Sequence, residues 1–142
     1  MSATASTTKT ARIVLMEDND ADVFLVEEAL AQHGLQAPVR VLRDGALAQD
    51  FIAEIDASPE IPLPDLILLD LNLPKRSGLE VLALIRQSPR CAAIPVVIMT
   101  SSDSPLDRQE TRRLNADRYF RKPSGYDAFM EMGRVVREVL ER

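Results

Sequence analysis

The sequence predicts an α/β fold in which five parallel strands, ordered 2-1-3-4-5, are covered by helices on both faces. Two observations carry this prediction. Apolar runs alternate five times with segments of helical periodicity, and strict β-α alternation calls for crossovers that lay helices on a parallel sheet. The runs also differ in kind. IVLM, LILL and VVIM are apolar throughout, as strands covered on both faces should be, whereas VRVLR alternates and RYFR is short and polar. The first three therefore belong in the middle of the sheet and the other two at its edges.

The first strand is expected over residues 12–16, followed by a helix over 20–33 that His33 and Gly34 close. A second strand (39–43) leads to a helix over 45–55, with Asp44 placed to cap it. The third strand (66–70) precedes a helix over 78–87. The fourth (96–100) precedes a helix over 105–115, with Ser104 placed to cap it. The fifth strand (118–121) leads to the last helix, 125–141. All nine prolines fall between these elements or in a first helical turn, where a missing N–H is harmless. Residues 1–11 are rich in Ser, Thr and Ala and read as a flexible N-terminal tail, leaving 12–142 as one domain. The strand order is the flavodoxin-like winding, whose ligand crevice lies outside the carboxyl ends of strands one and three.

Composition narrows the function. The 142 residues carry a formal net charge of -5, which argues against binding nucleic acid through the bulk field. No apolar stretch approaches the roughly 20 residues needed to span a bilayer, and the N-terminus lacks a signal-peptide pattern. A single cysteine, Cys91, reads as a small filler and suits a reducing compartment, so a cytoplasmic protein without membrane attachment is expected.

Polar groups gather at the expected carboxyl ends of the strands. Glu17 and Asp18 follow strand one, Asp70 ends strand three, Thr100 ends strand four and Lys122 follows strand five. Three carboxylates at one switch point repel one another and need a cation or a proton. Mg2+ fits, because it takes oxygen ligands and keeps several waters. Lys122 and Thr100 supply a positive charge and a hydroxyl suited to phosphoryl oxygens. Each residue also has a blander role: Asp18 or Asp20 as a helix cap, Thr100 as a strand end, Lys122 as a solvated lysine. Four strand ends in one fold context make the functional role the better one.

The stretches MEDNDADVFLVEEAL, DLILLDLNLPKRSGLEVLALIR, IPVVIMTSS and LNADRYFRKP resemble receiver domains of two-component response regulators, in order and spacing, from Arg12 onward. The resemblance implies that Asp70 is the phosphoacceptor. It also implies a Mg2+ site formed by Asp18 directly, Glu17 through water, Asp70, and the backbone carbonyl of Asn72. Thr100 and Lys122 would contact the phosphoryl group, Tyr119 would be the aromatic switch, and Pro123 would follow a cis peptide. Glu17 stands where Asp is more frequent. Ser101 and Ser102 stand where many receivers have Ala or Gly, and this bulk is expected to narrow access to the acyl phosphate. The wording LNLPK with LNADRYFRKP resembles receivers that partner phytochrome-type sensor histidine kinases.

No output module follows the last helix in this sequence, so output by protein–protein contact or by onward phosphotransfer is expected. On that helix Phe129, Met132, Gly133, Val136 and Leu140 form a core stripe, and Tyr126, Met130, Val135 and Val139 widen it. Either the helix is deeply seated, or the extra width is a homodimer or partner surface shared with helix four and strand five. On helix four, Arg108, Arg112 and Arg113 read as a solvated face. Two rival readings differ in class. A haloacid-dehalogenase-type Mg2+ phosphatase would carry a second acid where Asn72 stands, and a phosphate-independent receiver-like module would usually have lost Asp70 or Lys122.

Overall fold

A computed structural model describes residues 10–35 and 38–142. In chain order the elements are β1 (Ile13–Met16), α1 (Asp20–Gln32), β2 (Val39–Leu42), α2 (Gly45–Ala57) and β3 (Leu66–Leu69), then α3 (Gly78–Gln87), β4 (Val96–Thr100), α4 (Pro105–Arg113), β5 (Arg118–Arg121) and α5 (Tyr126–Glu141). The five strands form one parallel sheet of order β2-β1-β3-β4-β5, as the strand compositions predict. β1, β3 and β4 are buried at every residue, while β2 and β5 keep partly exposed side chains.

Alternation along the strands builds two cores. Val14, Met16, Ile67, Leu69, Val96 and Ile98 meet α2 and α3 through Phe51, Ile55, Val81 and Ile85. On the opposite face Ile13, Leu15, Leu66, Leu68, Val97 and Met99 meet α1 and α5. Each fully buried aliphatic or aromatic side chain contributes about 1.5–3 kcal/mol, so these two layers dominate the stabilisation. Local chemistry sets the helix ends. Asp44 accepts a hydrogen bond from the Leu47 amide and Ser104 from the Asp107 amide, as expected. α1 is capped instead by Asn19, which accepts from the Asp22 amide. Gly34 closes α1 at φ 72, a left-handed conformation natural to glycine. α4 ends at Arg113, two residues short of expectation, because Asn115 turns left-handed at φ 58 and the Ala116 amide bonds back to the Thr111 carbonyl.

Two expectations are corrected. The tail expected over 1–11 does not include Ala11, which is only 6% exposed and belongs to the second core. The chain entering β1 already runs beside the approach to β3, where the Arg12 carbonyl accepts from the Asp65 amide at 2.8 Å. Residues 1–9 lie outside the described residues. On α5, Met130, Val135 and Val139 do not widen an exposed surface. All three are buried with Phe129, Met132, Gly133 and Val136 of the main stripe, Leu140 being partly buried, and of the four residues only Tyr126 is exposed. The reason is the close seat of α5 against α1 as well as the sheet. A Cβ on Gly133 would lie 2.2 Å from the Ala29 carbonyl oxygen and 2.4 Å from the His33 ring, so glycine lets the helices touch. Arg137 then donates to the His33 carbonyl at 2.8 Å.

Candidate functional site

Strand register assembles the site. Met16 is paired with Leu69, so the next residue on each strand, Glu17 and Asp70, emerge side by side at the carboxyl edge. Backbone bonds extend the alignment: the Asp70 amide donates to the Met16 carbonyl at 3.0 Å, and the Lys122 amide donates to the Thr100 carbonyl at 2.8 Å. Four strand ends therefore deliver Glu17, Asp70, Thr100 and Lys122 to one place.

The Lys122 ammonium is the hub. It donates to Glu17 Oε1 at 2.7 Å, to Asp70 Oδ2 at 3.0 Å and to Asp22 Oδ2 at 2.7 Å. The other oxygens are also held: Asp70 Oδ1 accepts from the Asn72 amide at 3.0 Å, and Glu17 Oε2 from the Asn19 amide at 3.1 Å. Glu17 is fully buried and Asp70 is 4% exposed. Burial, with the negative charge of Asp70, pushes the Glu17 carboxyl from 4.5 up to about 7 despite its bond to Lys122. Burial opposes the Lys122 ammonium, but hydrogen bonds to Asp22, Glu17 and Asp70 outweigh it and hold that group above its ordinary range.

Glu17, Asp18 and Asp70 can each bring an oxygen within 4.8 Å of the others. Such a set of hard oxygen donors, with acids outnumbering the single ammonium, fits a divalent cation such as Mg2+ or Mn2+. Asp18 is the exposed member.

Thr100 is fully buried, and its Oγ1 accepts from Asn72 Nδ2 at 3.5 Å and from the Ser102 amide at 3.3 Å. The Ser102 carbonyl in turn accepts from the Tyr119 hydroxyl at 2.8 Å, so one residue links the strand-end hydroxyl to the aromatic ring. The Arg108 guanidinium lies 4.3 Å over that ring and pairs with Asp103 at 3.0 Å, so Arg108 is more than a solvated face. Burial raises the Tyr119 hydroxyl above its ordinary value. Ser101 is exposed in the turn after Thr100, outside this chain of bonds. The cis bond expected before Pro123 is corrected: among the described residues no peptide bond is cis. Trans is the intrinsic minimum for X–Pro by about 0.5–1 kcal/mol, and Lys122 reaches all three carboxylates from it.

Sequence reasoning missed Asp22. Its only signal was a fourth acid in EDNDAD, one helical turn beyond Asp18.

Residues 13–134 match the response regulator receiver domain. The chain belongs to that family. Among its relatives, the response regulator Rcp1 of Synechocystis is 42% identical over 110 residues, covering 78% of this chain and 75% of Rcp1. A probable methanogenesis regulatory protein, FilR2 of Methanothrix harundinacea, is 36% identical over 129 residues, 91% of this chain and 81% of FilR2. Two solved receiver structures superpose closely. Phosphorylated RcpA, a cyanobacterial phytochrome response regulator, gives a TM-score of 0.83 at 34% identity, covering 94% of this chain and 95% of RcpA. Mn2+-bound Rcp1 gives 0.81 at 38% identity, covering 92% and 95%. The receiver fold of this chain is thus the one those response regulators share. No helix among the described residues is long and apolar enough to cross a membrane.

Proposed function

We propose that this receiver accepts a phosphoryl group on Asp70 from a phosphohistidine of a sensor histidine kinase, and signals through protein–protein contacts as a cytoplasmic switch rather than a turnover enzyme. The observation that carries the proposal is the Lys122 ammonium bridging Glu17 and Asp70 at the carboxyl edge of the sheet. That arrangement holds a carboxylate in place and puts a positive charge where phosphoryl oxygens would come to rest.

In the proposed reaction an Asp70 oxygen attacks phosphorus. An O–P bond forms as the P–N bond breaks, and the electron pair stays on the imidazole nitrogen of the donor. The Asn72 amide keeps the Asp70 carboxylate oriented, and Lys122 neutralises charge on the transferred group. Glu17, Asp18 and Asp70, with the Asn72 carbonyl, would hold Mg2+, which supplies further charge neutralisation when bound. Thr100 would hydrogen-bond the phosphoryl group. Drawing Thr100 inward pulls on Ser102, whose carbonyl is the partner of Tyr119, and so loosens the ring. Ser101, next to Thr100 in the chain, would limit access of water to the acyl phosphate.

The kinase partner is proposed to be of the phytochrome type, supported by the likeness to Rcp1 and to the phytochrome response regulator RcpA. Output is proposed to run through self-association by α4, β5 and α5. Val135 and Val139 being buried, the contacts fall to exposed Leu106, to Tyr119, and to ion pairs such as Arg118–Glu138 and Arg121–Asp103 that a two-fold partner can exchange.

The test is intact-mass measurement after incubation with Mg2+ and a small phosphodonor. Wild type should gain one phosphoryl mass, removable by hydroxylamine, and Asp70→Asn should not. Equal labelling of Asp70→Asn would overturn the assignment. Transfer from a phosphorylated phytochrome-type kinase, and sedimentation with and without phosphoryl mimic, test the partner and the self-association.

A further inference from the structure

One carboxylate on Lys122 has no place in the metal set. Glu17 and Asp70 belong to the group whose oxygens converge for a cation; Asp22 does not, although it is as close to the ammonium as Glu17, at 2.7 Å. Asp22 lies in the first turn of α1, where its amide is tied to the Asn19 side chain at 3.0 Å. Its side chain is 23% exposed against 1% for Glu17, so it stands at the rim of the site.

We propose that Asp22 is a positioning residue for Lys122: it retains the ammonium at the rim when a divalent cation takes over Glu17 and Asp70. Its consequence for the phosphoryl group rests on the reading of Asp70 as phosphoacceptor; the hold on Lys122 against the metal does not. An ammonium and a dication repel, so a cation sharing these two carboxylates weakens the hold of each on Lys122. With a cation bound there, Lys122 would be loosened from its two buried partners while its side chain, 11% exposed, remains largely out of water. A buried cation left unpaired is strongly unfavourable. Asp22 already holds the ammonium, so the retreat needs only a shift of the lysine tip. The lysine then stands beside the place where the phosphoryl group arrives, and shares its charge between that group and Asp22.

This tether gives the two ligands opposite responses. Without it, Lys122 competes harder with the metal for Glu17 and Asp70, yet is freer to pair with a phosphoryl group. Asp22→Asn keeps the shape and removes the charge. Calorimetric titration of the metal-free protein should show Mg2+ binding about tenfold more weakly than in wild type, the size of one charge-assisted hydrogen bond. Titration of the Mg2+-loaded protein with beryllium fluoride, as phosphoryl mimic, should show tighter binding. Asp22→Glu, which keeps a carboxylate, should restore Mg2+ affinity.

The double-mutant cycle decides whether Asp22 works through the lysine. In a Lys122→Met background, Asp22→Asn should change Mg2+ affinity by less than about twofold. An equal loss in both backgrounds would mean that Asp22 acts on the metal as a distant charge, and a loss of both affinities would mean general damage; either overturns the proposal. Phosphoryl labelling of wild type is read separately. Its failure with an intact cycle removes the phosphoacceptor assignment and leaves the tether standing.

Discussion

Replacing Glu17 with Gln should stabilise the metal-free protein at pH 8 and leave it nearly unchanged at pH 4.5. The folded state raises this carboxyl from 4.5 to about 7, chiefly by burying it, so the folded protein binds more protons than the unfolded chain between those values. The stabilisation associated with the bound proton is complete below pH 4.5, declines as pH rises through 7 and is gone above 8. At about 1.4 kcal/mol per pH unit, the ionised group costs the folded state about 3 kcal/mol at pH 8, a sizeable part of the 5–15 kcal/mol typical of a domain. Lys122 does not contribute in this window, because its ammonium is held above its ordinary range and stays charged in both states. Gln resembles the protonated acid and carries no such cost. Urea unfolding in the presence of a chelator, followed by far-UV circular dichroism from pH 4.5 to 8.5, measures the difference. The two proteins should diverge with rising pH, Glu17→Gln becoming the more stable. Stability curves that stay parallel across the range would refute the argument, since Glu17 would then ionise as easily in the fold as in water.

Further outcomes follow from the same geometry. Mg2+ should bind more tightly as pH rises from 6 to 8, because its carboxylate set includes Glu17, which must lose its proton; calorimetry in buffers of different ionisation enthalpy should find close to one proton released at pH 6 and almost none at 8.5. Gly78→Ala would place a Cβ 2.2 Å from the Asp70 carbonyl oxygen and 2.5 Å from Leu71 Cα. Backbone must move there, so a loss of about 1–3 kcal/mol in thermal unfolding and slower labelling of Asp70 are expected. Arg108→Ala removes the guanidinium stacked 4.3 Å over Tyr119. It should release the ring by about 0.5–1 kcal/mol, seen as a larger inward population by fluorine NMR of fluorotyrosine-labelled protein.

The sequence by itself determined the strand order, because a strand covered on both faces has to be apolar at every position and an edge strand does not. It also determined the group of Glu17, Asp70, Thr100 and Lys122, since each stands just at or after a strand end and parallel strands point their carboxyl ends the same way. The caps at Asp44 and Ser104 were equally legible, being bonds to amides three residues away.

Tertiary structure decided what depends on distant surfaces meeting. The apolar width of α5 says how much surface must be covered, but only packing against α1, at the contact Gly133 permits, put Met130, Val135 and Val139 inside. Ala11 was drawn into the core in the same way. The partner that Lys122 finds in Asp22 lies 100 residues earlier in the chain, so no local pattern joins them. Periodicity and capping are short-range and are written in neighbouring residues. Which charge an ammonium reaches, and which apolar face is left to water, are fixed only when elements far apart in the chain compete for the same space.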